Sequence, residues 1–310
     1  MLILTLKRLG SMVAIMVVVS FLLFAVFETD KMAVAGKVLG PYSSDEQREI
    51  WLEKNGYNEP FIKRYFIWVG NALTGDFGQS IQLKVPVSQV LGDRLLNTGI
   101  LALALFLVLI PLSLTLGIVS GMKEGSLTDR TISVTSVATT SVPEFASATF
   151  LTAIFVFWLD WLPGTSTMSD GFELQQLILP VGVLLLYDAG YVIRMTRASM
   201  AEVMTSQYIR TAVLKGLPYK RVILKHALRN ALIAPFTVIM LQFNYLLSGV
   251  IVVEVFFAYK GFGTLLLDAA LFGDIYVIEA CTLVAVFVAV FSQFLSDIGY
   301  TLLNPRIRFS

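Results

Sequence analysis

Residues 194–229, RMTRASMAEVMTSQYIRTAVLKGLPYKRVILKHALR, lie between two long apolar stretches and hold eight Lys or Arg residues against one acid, Glu202. Positive charge collected between two membrane-length apolar segments marks a cytoplasmic loop. The segment is therefore the point from which the topology of the whole chain can be laid out.

Its local pattern predicts two helices joined by a tight corner. Good helix formers run from about Ser199 to Lys215; Lys215 stands where a cation favours a helix C-terminus, and Gly216 takes the position that adopts a left-handed conformation. Pro218 prevents the first helix from continuing and suits the first turn of a second one. In that second helix Arg221, Lys225 and Arg229 recur every four residues, while Leu224, Ala227, Leu228, Ala231 and Leu232 form a separate apolar stripe. A loop that merely lies on anionic lipid would use the same charge. It has no need of a glycine corner with Thr211 and Ala212 just before it; small residues there suit a helix that enters a groove on another protein.

The chain as a whole belongs in a bilayer: 56% of its 310 residues are hydrophobic and only 15% charged, with a mean hydropathy of +0.76, far from the balance of a soluble domain. Net charge is +1, which says little because the charges are segregated along the chain. The single cysteine, Cys281, excludes an internal disulfide or a cysteine metal site and reads as a small buried hydrophobe.

Outward from the basic loop, six spans are expected. The first is residues 9–27, with Lys7 and Arg8 holding its start in the cytoplasm as an uncleaved signal anchor. An extracytoplasmic segment of residues 29–94 follows, in which Ser44 caps a short helix and Phe61, Tyr65, Phe66 and Trp68 form an aromatic-rich helix serving either as a platform for an external partner or as a packed lid. Residues 95–122 are the second span, containing Pro111; residues 131–159 the third, with Pro143 and Glu144 near its middle. The fourth runs from about Leu174 to the basic loop, the fifth from Asn230 to Val253 and the sixth from Ile275 to Leu303, with Arg306 and Arg308 placing the C-terminus inside. Trp158 and Trp161 mark an aromatic belt. Residues 259–274 form an outer loop with a turn at Gly261 to Gly263. The expected divisions are an N-terminal helix at 1–28, the extracytoplasmic segment at 29–94, and a five-span core at 95–310 that carries the loop 194–229.

Several chemistries are excluded. Gly36-Lys37 lacks the upstream glycine of a P-loop, and Gly261 and Gly263 lack the third glycine of a dinucleotide site. With His226 the only histidine, clusters of metal-binding histidines cannot form. No catalytic residue, metal site or nucleic-acid partner is expected, and the chain cannot use ATP by itself. Three acids inside spans, Glu144, Asp188 and Glu254, are functional candidates because charge is costly there. Asp188 either meets a substrate amine or pairs with a polar group of a neighbouring span. Gln242, Asn244 and Ser248 share a span with the approach to Glu254 and either line a polar path or join helices by hydrogen bonds.

Residues 208–232, YIRTAVLKGLPYKRVILKHALRNAL, closely resemble the cytoplasmic "EAA" loop of permease subunits in binding-protein-dependent ABC importers, in the form found in the dipeptide/oligopeptide/nickel branch. The Glu and first Ala positions of the general pattern are Arg210 and Thr211 here; Ala212 and Gly216 match, and Leu228 and Arg229 stand at its Leu-Pro pair. GDFGQSI (75–81), TRASM (196–200), VVEVFF (252–257), GFGTLLLDA (261–269) and NPRIR (304–308) extend the likeness over nearly the whole chain.

The resemblance implies an all-α, type I ABC importer permease with six transmembrane helices in the bacterial or archaeal inner membrane, both termini cytoplasmic. Its implied partners are a homologous second permease, two cytoplasmic ATPases, which bind the ATP and Mg that this chain does not, an external solute-binding protein, and membrane lipid. Tyr208, Arg210, Thr211, Ala212, Lys215, Gly216 and Leu217 would engage an ATPase. Di- or oligopeptides are the implied cargo, with nickel chelates, glutathione, opines and oligosaccharides as alternatives. A lone ion-coupled secondary transporter using Asp188 or Glu144 is the rival from another class, although no inverted repeat is evident; a membrane scaffold would leave the buried acids unexplained.

Overall fold

The computed structural model describes residues 2–168 and 171–303, with side chains at all of them except 2–5, 244, 247–249 and 300–303. Arg306, Arg308 and the 304–308 motif fall outside the described residues. Among the described residues the chain is helical, with no strand beyond one isolated bridge between Gln79 and Pro86.

Contacts between Cα atoms divide the chain into two compact units, residues 1–98 with 260–291, and 99–259 with 292–310. The first unit begins with α1 (Leu2–Glu28), a helix without a charged residue between Leu9 and Phe27. It continues through α2 (Lys31–Leu39), α3 (Asp45–Lys54) and α4 (Phe61–Leu73). Ser44 caps α3 as its sequence predicts, through a reciprocal box with Gln47. The aromatic helix α4 docks on α1: Tyr65 is buried, its ring lies 5.3 Å from that of Phe21, and its hydroxyl meets Ser20 Oγ at 2.8 Å. Arg64 pairs with Glu28 and stacks 3.9 Å above the Tyr57 ring. Burial raises the Tyr57 hydroxyl above its usual range.

Residues 259–274, expected as an outer loop, contain a helix, α14 (Phe262–Phe272). Gly261 is its extended N-cap and not the start of a turn, and Phe262 and Leu265 are buried against Val87, Leu91 and Val277. The helix ends at Gly273 with φ 70°. Asp274 then caps the long α15 (Ile275–Leu303) and also accepts from Ser80 Oγ at 2.5 Å and Gln82 N at 3.1 Å. Cys281 is buried in this cluster, as expected of a small hydrophobe.

The second unit is organised on α8 (Leu174–Met204), which packs against α6 (Leu127–Ser141), α7 (Glu144–Thr152), α12 (Ile233–Gly249) and α13 (Ile251–Phe256). Its 31 residues rise about 46 Å. That exceeds a hydrocarbon core of about 30 Å, so its last turns reach beyond the membrane as continuous helix. The helix α5 (Val87–Met122) contributes residues 99–122 and carries Pro111 without ending. Its Gly117 and Gly121 fit where α8 comes close; a Cβ on Gly121 would stand 2.7 Å from Arg197 O and from Met200 Cβ.

Two expected spans are not straight. Residues 131–159 divide at Val142 and Pro143 into α6 and the pair of α7 with a π-helical turn at Ala153–Trp158, bent by 98°. Proline forces Val142 into an extended conformation, φ −87° and ψ 124°, and cannot itself donate a helical hydrogen bond. The fifth span begins at Ile233, after a 49° bend, and is interrupted at Val250 before α13. Among the described residues four helices are long and apolar enough to cross a membrane, and the number reaches six when each bent pair counts as one crossing.

Candidate functional site

The C-terminal part of α8 is held by an ion pair that the sequence reading did not pick out. Arg197 donates to both oxygens of Asp129, Nε at 2.6 Å and Nη2 at 2.7 Å; Ser120 Oγ at 2.5 Å, Gly125 N at 2.9 Å and Ser133 Oγ at 3.4 Å also donate to the carboxylate. The ends of α5, α6 and α8 are thereby tied around one buried acid, a geometry in which a fork-shaped guanidinium is much better than an ammonium. The available signal was opposite charge in two short polar pieces at the same face, Asp129 in KEGSLTDR and Arg197 in TRASM.

The expected helix 199–215 is instead two pieces. α8 runs to Met204, the backbone opens at Ser206 (φ −68°, ψ 149°), and α9 (Gln207–Leu214) starts afresh. Thr205 and Ser206 use their hydroxyls on the carbonyls of Glu202 and Val203, which draws the chain out of the helical ladder. At the other end of α9 the corner forms as predicted. Gly216 has φ 72°, its N–H reaches Val213 O at 2.9 Å, and Leu217 N reaches Ala212 O at 3.4 Å. These are the two hydrogen bonds of a Schellman cap.

After Pro218 comes a single turn, α10 (Tyr219–Arg221), then a π-helical turn at Val222–Ala227 and α11 (Leu228–Ala231). The wide turn alters which side chains face inward. Val222, Ile223, Ala227 and Ala231 are buried, while Leu224, expected in the apolar stripe, is 58% exposed. The expected stripe assumed four-residue spacing, and a turn closed by i to i+5 bonds shifts it by about one residue.

The loop thus has its own core, in which Ile209, Ala212, Val222, Ile223 and Ala227 pack with Met200 of α8, while Leu217 lies partly buried beside them. Ala212 faces this core, so its small size serves the permanent packing of α9 on its own chain. The outward face carries Tyr208, Arg210, Thr211, Val213, Leu214, Lys215 and Gly216, with Leu214 80% exposed, and Tyr219 and Leu224 continue it. Tyr208 accepts from Asn230 Nδ2 at 2.8 Å, which fixes its ring against α11. An apolar strip flanked by cations therefore projects from a helix packed on the 222–227 turn and sharing a core with Met200 of α8.

Of the five pathway candidates, Asp188 and Gln242 meet: Gln242 Nε2 donates to Asp188 Oδ1 at 2.9 Å across α8 and α12. Glu144, the first residue of α7, accepts from the Tyr245 hydroxyl, and the Tyr245 ring stacks with that of Tyr187 at 5.9 Å. Glu254 is fully buried on α13, which packs on α7 and α8. The side chains of Asn244 and Ser248 lie outside the described residues.

With these two features established, comparison with known proteins decides the family. The profile described as binding-protein-dependent transport system inner membrane component matches residues 113–309. The chain belongs to this family. The permease is also similar, over nearly its whole length, to curated proteins. It is 34% identical to the oligopeptide transport system permease protein AppB of Bacillus subtilis, covering 94% of each chain. It is 34% identical to a putative peptide transport system permease protein of Brucella abortus, covering 99% of each, and 32% identical to the glutathione transport system permease protein GsiC of Shigella flexneri, covering 98% of each. It is thus a multi-pass inner-membrane permease subunit of an ABC transporter that works with a binding protein, as the resemblance of the 208–232 loop implied.

Proposed function

We propose that this permease forms, with a homologous second permease, the translocation pathway of an ATP-driven importer of di- or oligopeptides, and that α9 is the helix through which two cytoplasmic ATPases act on it. The observation that carries the proposal is the division of α9 into two faces. Ile209 and Ala212 bind it to Met200 of α8, while Tyr208, Val213 and Leu214 stand exposed among Arg210 and Lys215. A monomer has no reason to expose apolar side chains on so short a helix unless a partner covers them.

ATP and Mg would be bound by the ATPases. Their closure would displace α9, and because its core is continuous with α8, the displacement would pass along α8 to the helices that touch it. Asp188, Gln242, Asn244, Ser248 and Glu254 are the proposed pathway residues on those helices. Both termini would be cytoplasmic, and an external solute-binding protein would deliver cargo to the opposite face.

Peptide cargo is supported by the names of the AppB and Brucella relatives; glutathione, itself a peptide, is the second reading, favoured by the likeness to GsiC. Nickel chelates, opines and oligosaccharides remain the other cargo classes of the branch. The test is co-expression with the genomic neighbours, purification, and assay of ATP hydrolysis. Stimulation by a binding protein loaded with peptide supports both the coupling and the cargo; absence of any co-purifying ATPase overturns the proposed role of α9 as an ATPase-docking helix.

A further inference from the structure

The cluster formed by Glu144, Asp188, Gln242, Tyr187 and Tyr245 contains two carboxylates with no cation of their own. Among the described residues no ion pair reaches either acid, and α7, α12 and the part of α8 before Arg194 contain no Lys, Arg or His. Asp188 is 1% exposed and its Oδ2 has no hydrogen-bond partner, while Oδ1 accepts from Gln242. A buried carboxylate oxygen left open is a strong cost inside a membrane unless something that donates hydrogen bonds fills it.

The surroundings select the donor. Among the described residues no three His, Cys, Asp or Glu side chains converge, so the cluster offers no ligand set for a transition metal. Gln242 uses one of its two amide N–H donors on Asp188, and the same side chain carries an amide oxygen that can accept. The stacked rings of Tyr187 and Tyr245 add two electron-rich faces of the kind that attract organic cations. Two carboxylates and an amide linked by these bonds, beside an aromatic wall, suit a primary ammonium, which has three N–H donors. Tyr187, Tyr245 and Gln242 are only half-buried, so one side of the cluster opens on the surface of its unit.

We propose that Asp188, Glu144 and Gln242, walled by Tyr187 and Tyr245, form a receptor for a primary ammonium group carried by the transported molecule. Taking that group to be the amino terminus of a peptide rests on the function proposed above; the ammonium site itself does not. The bend at Pro143 builds the site, because it sets Glu144 at the start of α7, where the helix N-terminus also favours its negative charge.

The test is the thermal stability of the full permease purified with its co-expressed partners, titrated with n-butylammonium chloride against sodium chloride at equal concentration, and with trialanine against N-acetyl-trialanine. Butylammonium and trialanine are expected to raise Tm, and the two controls are not. Asp188→Asn and Glu144→Gln should each raise the butylammonium concentration for half-maximal effect by about tenfold or more. Two variants guard against one of them failing to assemble. Butylammonium acting no more than sodium, or both variants responding like the wild type, overturns the site. A response to butylammonium through Asp188 with none to trialanine supports the ammonium site and counts against peptide cargo.

Discussion

Gly216 is the residue on which the geometry of α9, the proposed coupling helix, turns, and its replacement can be worked out in advance. Its φ of 72° is left-handed, and a Cβ built there meets nothing within 4 Å. Substitution therefore acts through the backbone alone. Alanine should weaken the corner by about 1–2 kcal/mol, which multiplies the open population by about 5–30. Asparagine, which tolerates this conformation, should cost a fraction of that. Proline, with φ fixed near about −65°, cannot form the corner and also removes the bond from Gly216 N to Val213 O.

The assay is amide hydrogen exchange over residues 212–217 in the purified complex, followed by ATP-driven uptake in proteoliposomes. Gly216→Ala should exchange about 5–30 times faster at Leu217, Gly216→Asn should stay near the wild type, and Gly216→Pro should lose protection there. Uptake should fall in the same order, while membrane insertion is retained. If Ala and Pro exchange like the wild type, the left-handed corner is not what seats α9. If exchange rises and uptake is normal, α9 does not couple ATP to transport.

Arg197→Ala leaves Asp129 buried without its cation and should destabilise the permease by about 3 kcal/mol or more; the double change with Asp129→Ala should be milder than the two single losses added, which a melting cycle in detergent measures. Gly121→Val places methyl groups against Arg197 O and Met200 of α8 and should cost about 1–3 kcal/mol, read as a lower Tm and a smaller monodisperse fraction. Leu214→Asp alters a side chain 80% exposed and should change Tm by under about 0.5 kcal/mol equivalent while abolishing ATPase co-purification; retention of the ATPases would remove Leu214 from the docking face. Ser44→Ala breaks the capping box of α3 and should weaken that helix by about 1 kcal/mol, seen as faster exchange over residues 45–48.

Much of this protein was legible before any coordinates. Apolar runs of membrane length and the sign of the charge between them follow from the free energy of placing each side chain in hydrocarbon, a property of composition that needs no partner residue. The corner at Gly216 and the cap at Ser44 were equally plain, because each depends on residues within four positions of one another. Local chemistry also announced the resemblance carried by residues 208–232.

What the tertiary structure decided is everything that depends on two distant segments meeting. Pro143 was visible, but whether it kinks a span or folds it back by 98° rests on what α6 and α7 find to pack against. The π-helical turn at Val222–Ala227 moved Leu224 out of the core, and no periodicity of four could foresee it. The Asp129 and Arg197 pair spans 68 residues, and the Gln242 bond to Asp188 spans 54. Asp188 and Gln242 could be named from sequence as polar groups inside spans, and Asp129 and Arg197 were not; only the packing of α8 against its neighbours determines which groups are satisfied within the chain, and that Asp188 keeps one oxygen open.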